Sequence, residues 1–527
     1  MVGTTRTMPL PARLASAAIA GAAAGLSFEP FHLVYLLPVA VAVLTLTCLG
    51  TTLRRGFMLG AVFGVVFMLV LLPWLQVIGV DAWIALSVFE GVFYGLAGLS
   101  VAATARLPWW PVWAATGWVG VELLRGTVPF GGFPWGRLAY ATVDTPLAPL
   151  FAYTGSAGVT LAVALVGTIL AWAVLSVRRA PVRTAAALVL TCLVASTASF
   201  LPTNAASPED GDDPVTVAAV QGNVPGDGMD AFAERRAVLD NHVAATKDLA
   251  DRIAAGDVPQ PDLVIWPENS TDINPFDDPT VFADIQDAVD AVGVPTLVGA
   301  MVDGPEPDEV LNQGIVWAPA TGPGERYSKR HPVPFGEYIP FRDQLAKLFT
   351  RLDQVPRDMR PGTEAGVLEM DGTVIGDVIC FEVAYDGLLR DVVRGGAGIV
   401  VVQTNNATYM GTGQVQQQFA IARLRAIETN RYVVVAATNG VSGIVDPQGE
   451  VVERLPTRTQ DVLVQRVQPR HGLTAGVRFG LLAEWLLTLV AGISVSLAVL
   501  LGYRRRRNEA VPERPAGREA VTTGGDR

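Results

Sequence analysis

Three short segments carry side chains that together could perform acyl transfer. Trp266-Pro267-Glu268-Asn269 places a carboxylate just after an apolar, strand-like run, where a strand end opens into a cleft. Tyr327-Ser328-Lys329-Arg330-His331, followed by Pro334-Phe335-Gly336-Glu337-Tyr338, offers a cation and a second carboxylate. Ile379-Cys380-Phe381-Glu382 puts a thiol at the end of another apolar run. A thiol attacks an ester only as its thiolate, so a neighbouring carboxylate must take its proton, and Glu268 suits that role. The tetrahedral intermediate carries an oxyanion that an ammonium can stabilise, for which Lys329 is the candidate. Glu337 could orient the lysine or assist proton transfer. The set calls for neither a metal nor a cofactor.

Taken singly, these residues have blander readings. A cysteine after Val-Ile is more often a small buried hydrophobe than a nucleophile. A lone Glu or Lys is usually a solvated charge, and Thr404-Asn405-Asn406 and Thr438-Asn439-Gly440 would normally be turns. The ordered combination shifts the balance, and so does composition. The chain has 36 arginines against three lysines, Lys247, Lys329 and Lys347, so a lysine inside a motif is less readily dismissed as surface charge. Cys48 and Cys192 both lie in apolar runs. No disulfide framework is suggested, and any thiol chemistry rests on Cys380.

The elements that must position these groups alternate. Strand-like runs at Val215 to Gln221, Leu263 to Trp266, Thr296 to Val298, Val374 to Ile379, Ile399 to Gln403 and Tyr432 to Ala436 are interleaved with helical stretches such as Ala231 to Ala255 and Gln414 to Asn430. That alternation predicts an α/β domain whose sheet is buried by helices, over about residues 208–470. The net charge of −11 belongs to this acidic part, and the missing basic footprint argues against nucleic acid as a partner.

The first 203 residues have a different composition. They hold five acidic residues (Glu29, Asp81, Glu90, Glu122, Asp144) and ten arginines among long apolar runs. Apolar stretches at 12–28, 32–50, 56–76, 82–104, 108–124, 158–177 and 184–202 precede the α/β domain, and an eighth follows at 479–502. Several reach the roughly 20 residues that span a bilayer. The expectation is a multi-pass α-helical membrane domain of eight spans, with the first retained rather than cleaved as a signal peptide. Alternate loops collect Arg6 and Arg13, Arg54 and Arg55, Arg106, Arg178 to Arg183 and Arg504 to Arg507 on one side, which the positive-inside rule makes cytoplasmic. The α/β domain then lies on the extracytoplasmic, periplasmic side of a bacterial plasma membrane. The stretch at 503–527 reads as a disordered cytoplasmic tail. Glu122 and Arg125, at a membrane edge, have the i, i+3 spacing of a helix-end salt bridge, or could meet a polar lipid headgroup.

Glu268 in WPEN, Lys329 in KRHPVPFGEYIP and Cys380 in ICFE resemble, in order, the Glu-Lys-Cys triad of the nitrilase superfamily. The long second motif is similar to that of apolipoprotein N-acyltransferases. VQGNVP (Val220 to Pro225), the Asn312 strand, NNATYMG (Asn405 to Gly411), RLRAIETNR, TNGVSG, ELLRGTVPFGGFPW (Glu122 to Trp135) and the pattern of apolar helices also look like that family. The resemblance covers roughly residues 10–502. It implies an α-β-β-α nitrilase-like sandwich on an eight-helix base. It further implies a phospholipid acyl donor, a thioester on Cys380 and a diacylglyceryl-apolipoprotein acceptor. Glu268, Lys329 and Cys380 carry over as base, oxyanion cation and nucleophile, while Asn312, Glu337, Phe381 and Glu382 match supporting positions. Two departures stand out: Phe381 replaces a tyrosine found in some members, and residues 226–232 lack a lid-like tryptophan, with only Phe232 in its place.

Two other functions compete with this reading. A membrane-tethered nitrilase-like amidohydrolase would use the same triad but resolve the acyl-enzyme with water. A transporter or non-catalytic assembly factor would show several charges within its spans, and few are present.

Overall fold

The computed structural model describes residues 8–202, 213–226, 235–345, 352 and 355–509. The apolar part folds as α1 (Leu10–Gly25), α2 (Leu36–Cys48), α3 (Leu53–Leu71), α4 (Val80–Phe93), α5 (Gly95–Thr104), α6 (Trp110–Arg125), α7 (Phe151–Ser176) and α8 (Pro181–Ala198). α4 and α5 are two halves of one apolar stretch, interrupted at Tyr94, so each of the seven apolar runs corresponds to one helical segment. Among the described residues, five helical stretches are long and apolar enough to cross a membrane: Leu53–Leu71, Val80–Thr104, Ala148–Ser176, Pro181–Ala198 and Ala475–Arg505. α1 and α6 have 16 residues each and α2 has 13, so length alone does not make them spans.

Small residues let α3 approach the α4–α5 pair closely. A methyl group at Gly64 would sit 2.1 Å from the carbonyl oxygen of Gly91, and one at Gly60 would sit 2.3 Å from that of Tyr94. Backbones at this separation gain contacts that apolar side chains facing lipid cannot supply. A side chain at either position would force the helices apart.

The α/β part follows as β1 (Val215–Gln221), α9 (Arg235–Ala255), β2 (Leu263–Ile265), α10 (Pro279–Val292), β3 (Thr296–Asp303), β4 (Glu309–Ala318), β5 (Gly322–Ser328), α11 (Arg342–Leu345), β6 (Asp358–Met359), β7 (Val367–Met370), β8 (Thr373–Ile379), α12 (Asp386–Arg394), β9 (Ile399–Thr404), α13 (Gln414–Thr429), β10 (Val433–Ala437), β11 (Gly443–Val445), β12 (Val451–Arg454) and β13 (Asp461–Val467). One sheet has the order β13-β1-β2-β3-β4-β5 with β6 beside β4; the other has the order β12-β11-β10-β9-β8-β7. The central strands β1-β2-β3 and β8-β9-β10 are parallel, covered on both faces, and accordingly almost continuously apolar.

The two sheets pack face to face through Val217, Ile265 and Leu297 on one side and Ile375, Ile379, Val401 and Val434 on the other. α9 and α10 cover the first sheet with Leu239, Leu249, Ile285 and Val289. α12 and α13 cover the second, giving the α-β-β-α sandwich. Asp278 caps α10 by accepting from the amides of Thr280 and Val281, and Gly293 ends the helix at φ +74°. The core beneath α12 and α13 does not stop at the domain edge: Leu388, Ile421 and Leu424 share one apolar cluster with Phe63, Leu71 and Trp118 of the membrane part.

The last helix, α14 (Ala475–Glu509), is longer than the apolar run at 479–502. The stretch expected to be a disordered tail from residue 503 therefore begins as helix, because Arg504 to Arg507 are good helix formers continuing an established helix. Residues 510–527, Phe232 and residues 231–234 of the expected first helix of the domain lie outside the described residues.

Candidate active site

Glu268, Lys329 and Cys380 each sit where a strand runs out, while Asn312 lies within β4 and Glu337 in the loop after β5. β2 ends at Ile265, and Trp266 anchors the following turn by donating its indole N–H to Thr246 Oγ1 on α9 at 2.9 Å. Two residues later Glu268 points into the site, almost wholly buried. Lys329 follows β5 and is pinned at both backbone ends: its amide donates to the Asn312 carbonyl at 2.9 Å, and its carbonyl accepts from Gly362 at 2.8 Å. β8 delivers Cys380, which opens a 3₁₀ turn (Cys380–Ala384) at φ +56°. A non-glycine residue there stores about 1–3 kcal/mol of strain, which the surrounding contacts must hold. Such a turn lifts the side chain off the strand end.

The structure brings Glu268, Lys329 and Glu337 into one buried chain. Lys329 Nζ donates to Glu268 Oε1 at 3.0 Å and to Glu337 Oε1 at 2.6 Å. Asn312 Nδ2 donates to Glu268 Oε1 at 2.8 Å, and the amide of Asn405 to Glu268 Oε2 at 2.8 Å. The amide of Val333 holds Glu337 Oε2 at 2.8 Å. Burial works against the Lys329 ammonium, but Glu268, Glu337 and Cys380 more than offset it and hold its pKa well above the usual lysine value. Burial pushes the Glu337 carboxyl up, against the pull of Lys329.

The Cys380 thiol is pushed up to about 12, first by burial and then by the charge of Glu268, with Lys329 and a hydrogen bond from Thr404 opposing. A thiol raised in this way needs a base before it can act as a nucleophile.

Glu382 ties the Cys380 turn to the lysine loop. Its carboxylate accepts from the amides of Ile379 (2.8 Å), Arg330 (2.7 Å) and His331 (3.0 Å) and from the Tyr327 hydroxyl at 2.9 Å. The thiol and the ammonium are thereby fixed relative to each other.

Phe381 stacks with Phe133 and with Trp135, both at 5.4 Å between ring centroids, and meets Tyr385 edge-on at 5.6 Å. Phe133 and Trp135 belong to the loop after α6, so the floor beside Cys380 is built from the membrane part. Gln417 on α13 fastens that floor. Its Oε1 accepts from the indoles of Trp135 (2.7 Å) and Trp74 (3.2 Å), and its Nε2 donates to the carbonyls of Glu29 (2.8 Å) and Leu71 (3.1 Å).

A buried ionic cluster lies on the far side of the turn. Arg137 bridges Asp386 (3.1 Å) and Glu484 of α14 (2.9 Å), and Arg425 donates to Asp386 (2.7 Å) and to the Val383 carbonyl (2.8 Å).

Sequence reasoning missed several of these roles. Asn405 reads locally as a turn residue, yet its amide orients Glu268. Gln417 carries no local signal beyond its place on a helix, and Tyr327, Trp135 and Arg137 have their partners far away in the chain. Arg125 does not form the expected i, i+3 bridge. It pairs with Glu90 at 3.3 Å and donates to the carbonyls of Phe133 and Trp135, while Glu122 accepts from the Leu138 amide and Thr160. Being wholly buried, its guanidinium holds the loop rather than meeting a lipid headgroup.

Residues 20–169 match the family described as apolipoprotein N-acyltransferase N-terminal domain, and residues 216–473 match carbon-nitrogen hydrolase. The chain is 40% identical over 512 residues to an apolipoprotein N-acyltransferase of Mycolicibacterium smegmatis, covering 92% of this chain and 85% of the relative. It is 25% identical over 538 residues to that of Photobacterium profundum, covering 96% and 98%. Among solved structures, an amidase from Nesterenkonia sp. AN1 aligns at 14% identity and a TM-score of 0.36, covering 48% of this chain and 90% of that one. A branch 10 nitrilase-superfamily member from Saccharomyces cerevisiae aligns at 17% and 0.36, covering 50% and 93%.

Proposed function

The chain belongs to the apolipoprotein N-acyltransferase family, and from that premise we propose that it moves an acyl chain from a phospholipid, through a thioester on Cys380, to the N-terminal amine of a diacylglyceryl apolipoprotein. The observation that carries the reading is the buried chain of Glu268, Lys329 and Glu337 together with the Cys380 turn, whose Phe381 stacks on a floor supplied by the membrane part.

In the first half-reaction Glu268 takes the Cys380 proton and the sulfur attacks the ester carbonyl. The third N–H of Lys329, free of both glutamates, meets the oxyanion. The lysophospholipid leaves with the proton held by Glu268. In the second half-reaction the acceptor amine attacks the thioester, Glu268 takes the amine proton, and the thiol is restored. The shared aromatic floor supports lipid substrates, because both substrates carry their reacting group close to a bilayer surface. Phe130, Phe335 and Phe341 extend this apolar surface outward, with Phe130 within 6.5 Å of each of the other two rings.

The chain is a membrane protein. In our reading all eight apolar segments span the plasma membrane, with the sandwich on the extracytoplasmic side, as the alternation of arginines supports. Cysteine labelling should then reach Glu306→Cys, in the exposed turn after β3, from outside and residue 510 from inside.

Incubating the purified protein with phosphatidylethanolamine alone should add one acyl mass to Cys380, releasable by hydroxylamine, and a diacylglyceryl lipopeptide should then remove it as an N-acylated product. Acylation only in the presence of the acceptor would overturn the two-step scheme. Free fatty acid without N-acylated lipopeptide would make the protein a hydrolase.

A further inference from the structure

Asp377 on β8 and Gln403 on β9 form a buried polar pair that the acyl-transfer steps do not use. β8 and β9 run parallel, with Asp377 beside Val401 and Ile379 beside Gln403, so Asp377 and Gln403 leave the same face of their sheet. That face looks across at the first sheet. Both side chains are fully buried there, and they converge over Gly314 of β4. A methyl group at Gly314 would lie 2.1 Å from Asp377 Oδ2 and 2.7 Å from Gln403 Oε1, so only a glycine leaves room for the two oxygens.

Counting donors shows what this pair lacks. Gln403 Nε2 donates to the Trp266 carbonyl at 2.5 Å. Among the described residues, neither oxygen of Asp377 nor Gln403 Oε1 receives a hydrogen bond. Three acceptors (the Trp266 carbonyl, Gln403 Oε1 and Asp377 Oδ2) therefore share one side-chain amide group as donor. Flipping the Gln403 amide would only set its oxygen against the Trp266 carbonyl. One more proton is needed, and a buried acceptor left without one is costly.

We propose that Asp377 is a neutral carboxylic acid whose O–H donates to Gln403 Oε1. In that state it is a positioning residue: through Gln403 it locks the Trp266 carbonyl, and with it the Glu268 turn two residues on, to the β8 strand that delivers Cys380. The groups around Asp377 favour the neutral form. Burial, then the like charges of Glu382 beyond the end of β8 and Glu268 beyond the end of β2, hold its carboxyl well above the usual range. The Tyr327 phenol on β5, itself pushed up first by burial and then by Glu382, adds no cation. An acid kept neutral by an apolar site can donate as well as accept, which a carboxylate cannot.

Two measurements on the full-length protein in detergent test this. The infrared spectrum of the wild type at neutral pH should contain the carbonyl stretch of a protonated buried carboxylic acid, and that band should vanish in Asp377→Asn; a spectrum without it would overturn the proposal. This readout does not depend on which substrate the site takes. The second is acyl-enzyme formation at Cys380 with phosphatidylethanolamine vesicles. Asp377→Asn, whose amide can make the same donation, should keep a near-wild-type rate and an unchanged pH profile. Asp377→Leu should lose on the order of a hundredfold, as expected when a catalytic group shifts by about 1 Å. If Asp377→Asn folds but is as slow as Asp377→Leu, or loses a limb of the pH profile, Asp377 acts as a charged carboxylate and the neutral-donor role is wrong. If the wild type forms no acyl-enzyme, the acyl-transfer reading fails while the infrared test stands.

Discussion

Replacing Lys329 by arginine keeps the charge of the site and changes only its shape. An ammonium has three N–H donors. Lys329 directs one to Glu268 at 3.0 Å and one to Glu337 at 2.6 Å, which leaves a single donor for the oxygen of a tetrahedral intermediate. A guanidinium presents its donors in one rigid plane. Two flanking carboxylates will engage that fork, and what remains cannot turn toward Cys380. Nor can the longer side chain back away, because residue 329 is wholly buried and its backbone is held on both sides by Asn312 and Gly362.

Losing one oxyanion donor typically lowers the rate on the order of 10²–10³-fold, about 2.7–4 kcal/mol. Lys329→Arg should therefore fold and insert normally, since Glu268 and Glu337 keep a cationic partner, yet acylate Cys380 about a hundredfold or more slowly. Lys247→Arg, on the exposed side of α9, should behave as wild type. The assay is the quenched-flow rate of mass gain at Cys380 with phosphatidylethanolamine, alongside thermal melting in detergent. Near-normal acylation in a well-folded Lys329→Arg protein would show that diffuse positive charge suffices. The third-donor argument would then have to be abandoned.

Asp386 ties the sandwich to the membrane part. Burial raises its carboxyl, but Arg137, Arg425 and Arg390 outweigh that and hold it below the usual carboxylate range. Its contribution to stability is thus present above the unfolded value of about 3.9 and is lost as pH falls below it. The wild type should lose melting temperature more steeply below about pH 4 than Asp386→Asn, which starts lower at neutral pH; parallel slopes would refute the linkage. For the aromatic floor, a double-mutant cycle of Phe381→Leu and Trp135→Leu, read by thermal unfolding, should give a coupling of about 0.5–1.5 kcal/mol. A coupling near zero would mean that the stack contributes no adhesion between the two parts.

Local patterns in the sequence carried much of this architecture. Long apolar runs dictated the helices of the membrane part, because a segment that must face hydrocarbon has to be apolar along its length. The strand ends bearing Glu268 and Cys380 were legible for a similar reason, since each follows a short apolar run that is buried in a sheet, whereas Lys329 follows the polar, largely exposed β5 and was marked only by the motif around it. Glu268, Lys329 and Cys380 were singled out from residue types, order and the resemblance of their motifs, and the structure brings Lys329 within hydrogen-bond distance of both Glu268 and Glu337.

Partnerships set by packing were not legible. Arg125 and Glu122 have the spacing of a helix pair, but Arg125 pairs with Glu90, 35 residues away, because the helices it packs between bring that carboxylate to it. Arg137 meets Asp386 and Glu484 across 249 and 347 residues. Asn405 looks like a turn residue until β2 and β9 lie close enough for its amide to reach Glu268. Sequence spacing decides which side chains share a face of one helix or strand; it carries no information about which faces of distant elements are pressed together. That choice is made by the burial of apolar surface as the sheets and helices collapse, and buried polar groups take whichever partners the collapse presents.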